Sequence, residues 1–536
     1  MGGDGGAGVW HARAVNVADL VRAAAAAHGD RVAFRTLDGA TLTWAEVDAR
    51  VDETVAALRA HGAQPGDRIA IALPNSPAFA IAFWATLRAD AIVVPVNPAY
   101  TPREQAHILQ DSTASFSITT PDLRPTSITP QSTSDQAGQA ETAETGEAVE
   151  GAGAADSGWR APGEPGPLSE AQPAPPAPKT PDQTAVICYT SGTTGAPKGA
   201  LLTHDNFLSN LHAFAELEAL RLTEDDVLLG LLPFFHIFGL NVILNAAALH
   251  GASVLVMDRF SPAGSLAALA EHGVTVAYGA PPVFAAWCAV AAAEVPPLPR
   301  LRAAVSGADS LPEPVWHAFL ERFGVPIQES YGLTETAPGL TSNAAAPAPR
   351  AGTVGMPLPG VEIRLAGPDG AEVAAGQAGE IVARGRNVFH GYHGRTDATA
   401  EVLDADGWFR TGDLGEWDPD GYLRIIGRLK DLVIVSGFNV YPREVEAVLR
   451  EHPGVADAAV VGIPDARTGE RVRAVVVAAD GAALDEAALL AHCRERLARY
   501  KLPREVVVVD ALPRRTTGKV SRDALRALDA RAPVAG

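Results

Sequence analysis

Short apolar runs bounded by turn formers recur along the chain, with longer helical patterns between them. RIAIALP (residues 68–74) and AIVVPV (91–96) flank FAIAFWATLRA (79–89), and SVLVMD (253–258) and VTVAYG (274–279) flank SLAALAEHG (265–273). Such runs predict buried strands, and their alternation with helical patterns predicts an α/β fold. Between Gly352 and Arg428 the texture changes to EIRLAGPDGAEV, GEIVARG and DGWFRTGDLGEWDPDGYLRIIGR. These shorter stretches between Gly-rich turns predict a mainly β subdomain. A third texture then begins, with VEAVLREHPGV, AAVVGIP, RAVVVAA, LLAHCRERLARY and EVVVVDALP. It predicts a small mixed α+β domain whose boundary falls near Lys430. No internal repeat interrupts this order.

One segment breaks the pattern. From about Pro125 to Pro181 the sequence is rich in Pro, Ala, Gly, Ser and Glu and poor in large apolar residues. It buries too little to offset its ordering entropy, so it reads as a low-complexity insert (125–181), disordered or loosely tethered. The chain as a whole has ample apolar content, 47% over 536 residues, for two or more domains. The most apolar stretch, FAIAFWATLRADAIVVPV, is broken by Arg88 and Asp90, so no membrane span is expected. The N-terminus has neither an apolar leader pattern nor a Ser or Thr at position 6, and a soluble cytoplasmic protein is the expectation.

The net charge of −20 argues against nucleic acid as a partner, because backbone binding needs a basic footprint. An anionic substrate therefore needs locally placed Lys and Arg. The cysteines, Cys188, Cys288 and Cys493, are scattered and odd in number, which disfavours a disulfide framework or a zinc site. Cys188 stands inside the apolar run AVICY and reads as a small core residue.

Directly after that run stands YTSGTTGAPKGA, Tyr189 to Ala200. Small residues let backbone amides approach an anion, Ser191, Thr193 and Thr194 add hydroxyl donors, and Lys198 adds a mobile charge. A Walker loop starting at Gly192 would need Gly at 197 and Ser or Thr at 199; the chain has Pro197 and Gly199. The stretch is a phosphate cradle of another kind or a plain turn. Downstream, Thr203 is placed to cap a helix that carries Phe207, Leu211, Phe214 and Leu217 on one face.

Four more motifs decide between these readings: LPFFHIFGL (232–240), ESYGLTETAP (329–338), the run GWFRTGDLGEWDPDGYLRIIGRLKDLVIVSGFNVYPREVE (407–446) and LPRRTTGKVSR (512–522). With the loop, and in this order over nearly the whole chain, they resemble the adenylate-forming (AMP-binding) superfamily, and within it the acyl-CoA synthetases of 4-coumarate–CoA ligase type. The resemblance implies a large N-terminal α/β domain with a β subdomain (1–429) and a small mobile C-terminal α+β lid (430–536). It implies ATP, Mg²⁺ and CoA as cofactors and substrates: a carboxylate attacks the α-phosphorus of ATP, and a thiol then displaces AMP.

Residue by residue, the resemblance implies that Thr190, Ser191, Gly192, Thr193, Thr194, Gly195 and Lys198 cradle the β- and γ-phosphates. Glu335 matches the magnesium ligand, Thr334 a donor to the α-phosphate, and Tyr331 with Gly332 the adenine side. Asp413 matches the ribose-binding carboxylate, with Arg428 near ribose and phosphate. Lys519 matches the lysine that bridges the attacking carboxylate and the α-phosphate. Lys430 matches the hinge. Gly437 and Phe438 match the loop along which the pantetheine arm of CoA passes. His236 matches a position beside the substrate carboxylate, and Asn241, Gly279, Gly307 and Ala308 fall in the segments that line the acyl pocket.

Amino-acid-activating relatives place an Asp just after the Phe of the histidine-bearing motif; here Phe235 is followed by His236. Asp309 departs from the small neutral residue common in acyl-CoA synthetases and either contacts a polar substrate or lies near the adenine; the missing Asp after Phe235 weighs against an amino acid. The expected activity is therefore ligation of an apolar carboxylic acid, fatty or aromatic, to CoA by a monomer or homodimer. The alternatives are a stand-alone enzyme that loads an acyl carrier protein and a catalytically silent acyl- or nucleotide-binding protein.

Overall fold

The computed structural model describes residues 15–128, 180–190, 197–374, 376–465, 467–479, 484–514 and 520–528. The insert lies almost wholly outside the described residues. Internal contacts divide the chain into two compact units, one of residues 1–361 with 384–407 and one of 362–383 with 408–536.

The first unit holds two sheets. The nine-stranded sheet has a core of six parallel strands in the order Ile327–Gly332, Ala303–Ser306, Val276–Gly279, Val227–Gly230, Ser253–Val256 and Val32–Thr36, with antiparallel strands at both edges. The six-stranded sheet places Phe116–Ile118, Arg68–Ile71, Ile92–Pro95 and Thr184–Thr190 in parallel and adds Lys198–Thr203 antiparallel at one edge. The expected strands are all present. The helix predicted over FAIAFWATLRA spans Pro77–Arg88.

That helix is buried on every side, as an all-round apolar pattern demands. Ser76 caps its start by accepting from the Phe79 amide, and Pro77 occupies the first helical position, where no amide partner is lost. Trp84 packs on Phe34 and Trp44 at ring separations of 6.2 Å. Arg88 is the helix's single charge. It is only 6% exposed and pairs with Asp48 and with Asp52 at 2.8 Å, so its burial is compensated.

A separate core covers the other end of the nine-stranded sheet. Phe284 packs edge-on against Trp287 and Phe319, 5.6 and 5.3 Å away. The polar edges of the large rings are satisfied: Trp287 donates to Ser265 Oγ at 2.7 Å and Trp316 to the Ile327 carbonyl at 2.9 Å.

The second unit also holds two sheets. Glu362–Ala366, Gly379–Arg384, Phe409–Trp417 and Leu423–Arg428 form a four-stranded sheet, the expected β texture. The segment 384–407 departs from it and belongs to the first unit. A five-stranded sheet of Phe438–Val440, Val433–Val435, Gly469–Ala478, Val455–Asp465 and Glu505–Val509 carries the helices Pro442–Arg450 and Glu486–Arg496. The predicted boundary at Lys430 falls inside this unit, in the single 3₁₀ turn Leu429–Asp431 between the two sheets.

Phe284 is fully buried among aromatic rings, so Phe284→Ala leaves a cavity. The expected loss is about 3–5 kcal/mol of stability, read from denaturant unfolding. A change below about 1 kcal/mol would mean that this core is not packed as described.

Candidate active site

Four neighbouring parallel strands of the large sheet end at Gly230, Gly279, Ser306 and Gly332. Carboxyl ends of parallel strands are where α/β folds bind ligands. Of the residues expected at the site, Gly307, Ala308, Thr334 and Glu335 lie just beyond these ends, and Gly279, Tyr331 and Gly332 fall at the ends of the strands themselves. At Gly279 a Cβ would press on the Phe284 ring at 3.1 Å, and at Gly307 on Phe238 Cε1 at 2.9 Å. Glycine thus lets the chain pass beneath the Phe238 ring, which meets Tyr278 edge-on at 6.4 Å. Ala308 takes a φ of 72° on the exposed turn that follows.

Gly332 has the tightest requirement. A Cβ there would lie 1.8 Å from the Pro338 carbonyl oxygen. Without one, the chain folds back so that the Leu333 amide donates to that oxygen at 3.0 Å. The one-turn 3₁₀ helix Thr334–Thr336 sits in this fold-back and presents Glu335, 7% exposed, with half-buried Thr334 and Tyr331 beside it.

His236 is half-buried, and its Nδ1 accepts from the Phe238 amide at 3.3 Å. The chain then enters a π-helix, Phe238–Asn245. Asn241 was placed in the acyl pocket by its sequence position. Here its side chain is fully buried and donates to the carbonyls of Phe207 (3.2 Å) and Ala337 (2.8 Å). It accepts from Asn245, which in turn accepts from the Trp84 indole at 2.9 Å. The amide is spent on holding backbone.

The phosphate-loop motif joins two antiparallel strands, with Thr190 opposite Lys198 and a 3.4 Å hydrogen bond from Thr190 Oγ1 to the Lys198 carbonyl. Ser191, Gly192, Thr193, Thr194 and Gly195 lie outside the described residues, as does Lys519. Thr203 caps the following helix, His204–Ala215, in a reciprocal pair with Asn206. Phe207 and Leu211 are buried, and Leu217 lies beyond the helix end.

One residue of the cluster escaped the sequence reading. The segment after Phe389 returns to the edge of the hairpin: the Leu201 amide donates to the Gly391 carbonyl at 2.9 Å, and the His393 amide to the Gly199 carbonyl at 2.8 Å. Tyr392 thereby donates its hydroxyl to Glu335 Oε1 at 2.8 Å and lies with its ring centroid 5.0 Å from Lys198 Nζ. Burial, and then the Glu335 charge, raise the Tyr392 phenol above its ordinary value, so it remains a neutral donor. The only sequence signal was a Gly-Tyr pair in a turn-rich stretch.

In the second unit Asp413 and Arg428 face each other across antiparallel strands, with Arg428 Nε 3.1 Å from Asp413 Oδ1. Asp413 is 6% exposed. Lys430 is exposed, while its neighbour Asp431 pairs with Arg522 at 3.2 Å. Gly437 has φ +83°, and among the described residues a Cβ there would meet nothing within 4 Å. The positive φ is by itself a reason for glycine here. Phe438 is 56% exposed and stacks on Tyr500 at 4.8 Å.

Comparison with known proteins agrees with this geometry. Residues 21–393 match the family of AMP-binding enzymes, and residues 444–519 match the AMP-binding enzyme C-terminal domain. A feruloyl-CoA synthase from Amycolatopsis sp. is 38% identical over 97% of this chain and 98% of its own. A long-chain-fatty-acid–CoA ligase from Bacillus subtilis (strain 168) is 33% identical over 90% of this chain and 89% of its own. Among solved structures, ATP-bound MatB from Rhodopseudomonas palustris superposes with a TM-score of 0.80 at 34% identity, covering 95% of this chain and 98% of that one. The chain belongs to the AMP-binding enzymes, in the acyl-CoA synthetase-like branch of the adenylate-forming superfamily. Among the described residues no helix is long and apolar enough to cross a membrane.

Cys188 tests the electrostatics of this region. It is buried in the strand before the loop, and desolvation, followed by the Glu335 charge, pushes its thiol up to about 12. It stays protonated, and so unreactive, at ordinary pH. Treated with iodoacetamide at pH 8, the native protein should keep Cys188 unmodified while half-buried Cys288 reacts first, as located by mass spectrometry. Equal labelling of the two would contradict the burial.

Proposed function

We infer that this chain is an AMP-forming acid–thiol ligase that adenylates an apolar carboxylic acid and passes the acyl group to CoA. ATP, Mg²⁺ and CoA are the substrates and cofactor expected of AMP-binding CoA ligases. The observation that carries the reading is the meeting of Lys198 and Glu335 on Tyr392, at the carboxyl ends of the parallel strands. A mobile cation for phosphate oxygens and a buried hard carboxylate for Mg²⁺ are what an attack of one anion on another requires. Glu335 fits the metal: it is a buried carboxylate, and the Tyr392 hydroxyl that donates to it is a neutral phenol, which does not cancel its negative charge. Bound there, Mg²⁺ neutralises charge on the triphosphate.

The remaining roles follow. Thr190 to Lys198 receive the pyrophosphate, Thr334 donates to the α-phosphate, and Tyr331 and Gly332 line the adenine side. Asp413 accepts from the ribose hydroxyls, with Arg428 beside it. Lys519 bridges the attacking carboxylate and the α-phosphorus. His236 stands by the substrate carboxylate, and Gly279, Gly307 and Ala308 line the acyl path.

Relatives named for a ferulate-type aromatic acid and for long-chain fatty acids support an apolar acid as substrate. Behind Tyr278 a cavity of ≈ 20 Å³, room for about one water, is lined mainly by apolar Leu211, Phe214, Val242 and Val305, with Asn210 and His250 in its wall. Pyrophosphate release from ATP and Mg²⁺ with a panel of aromatic and fatty acids, followed by thioester formation with CoA, tests the reading. No release with any acid overturns it. Acyl-AMP that fails to react with CoA but loads a carrier protein replaces CoA as acceptor.

Two variants separate the half-reactions. Lys519→Ala should lower acyl-AMP formation by about a hundredfold or more while sparing thioester formation from supplied acyl-AMP. Equal loss of both steps removes the bridging role. Lys430 lies in a single exposed turn between two sheets, which suits a hinge. Lys430→Pro should spare adenylation and slow the thioester step; if both rates are unchanged, the pivot lies elsewhere.

A further inference from the structure

The ligase reading assigns Lys198 to phosphate and Glu335 to metal, and it leaves the group between them without a task. The two side chains carry opposite charges on adjacent elements. Left unpositioned, they would be drawn to each other, and each would mask the charge that the other needs to offer. Tyr392 meets both at once, hydroxyl on Glu335 Oε1 at 2.8 Å and ring centroid 5.0 Å from Lys198 Nζ.

We propose that Tyr392 is a positioning residue for adenylation: its hydroxyl sets the Glu335 carboxylate for the metal, and its ring holds the Lys198 ammonium toward the phosphates. The proposal rests on the ligase reading above. A phenol suits the task because it is neutral. It fixes a carboxylate oxygen by hydrogen bonding without cancelling the negative charge, as an Arg or Lys would. Its π face attracts a cation without removing a proton from it.

The backbone around Tyr392 is built to keep the ring in place. Its amide donates to Thr399 Oγ1 at 2.9 Å, and that hydroxyl donates to the Arg395 carbonyl at 2.8 Å. Residue 392 also forms a bridge with Ala200, two residues beyond Lys198. On the other side the Phe389 amide donates to the Glu335 carbonyl at 2.8 Å, and the Phe389 ring packs on Tyr392 at 4.9 Å. One short segment is thus hydrogen-bonded to the strand that carries the cation and to the residue that carries the carboxylate. Thr399 also explains Gly391: its φ is +126°, and a Cβ there would sit 2.6 Å from the Thr399 methyl.

The test uses metal binding, with the full-length protein. Mn²⁺ is titrated in the presence of a non-hydrolysable ATP analogue, and free Mn²⁺ is read by electron paramagnetic resonance. Tyr392→Phe keeps the ring and removes the hydroxyl, so the Mn²⁺ Kd should rise about tenfold while metal-free binding of the analogue stays at the wild-type value. Tyr392→Leu removes the ring as well and should weaken metal-free analogue binding a further several-fold. A thermal melt of Tyr392→Phe that matches wild type places the effect on positioning rather than folding. An unchanged Mn²⁺ Kd in Tyr392→Phe overturns the proposal, whether or not Tyr392→Leu folds. So does an equal weakening of analogue binding without metal. Should the wild type bind Mn²⁺ and analogue yet activate no acid, the ligase reading falls while this comparison still stands.

Discussion

The first unit depends on a helix that no solvent reaches. Pro77–Arg88 is apolar on every face, packs against strands of both sheets, and has its one charge neutralised by Asp48 and Asp52. From this helix a polar thread leads outward. The Trp84 indole donates to Asn245, Asn245 to Asn241, and Asn241 to the carbonyl of Ala337, two residues past Glu335. Each member is buried, so each unmade bond would carry the full cost of an unsatisfied polar group. The position of the turn that bears Glu335 is therefore fixed from the core, not from the surface. The π-helix in the middle of this thread is an irregular element of a kind that recurs at functional sites.

The site is assembled by close approaches as much as by charges. Gly332 lets the turn that bears Glu335 fold onto its own strand, and Gly307 lets the chain slip under Phe238. These positions need the smallest residue because backbone or ring occupies the space a methyl would take. Charged groups of the second unit follow a different logic. Asp413 and Arg428 are set opposite each other by strand register, so their pairing is a property of the sheet.

Much of this was legible in the sequence. Buried strands announce themselves as apolar runs, and Thr203 caps the helix that follows it, as a small hydroxyl residue before apolar periodicity does. The motifs single out Glu335 and Lys198, which both meet Tyr392, and Asp413 and Arg428, which pair with each other. Other features could not be read. Asn241 looks like any polar residue on an apolar helix, and only the packed structure shows that its amide is committed to two carbonyls. Gly437 takes a positive φ, a constraint on backbone angle that its motif alone does not reveal. Tyr392 carries no periodic or charge signal, because its partners are distant in sequence and meet it only through strand pairing.

That distance bears on how the protein is made. The hairpin with Lys198 and the turn with Glu335 leave the ribosome well before residues 384–407, and the strand Glu362–Ala366 of the second unit is synthesised in between. During translation the nascent first unit therefore waits with an incomplete hairpin edge until a later stretch comes back to cover it. A fragment cut at residue 361 would keep the cation and the carboxylate and lose the phenol between them.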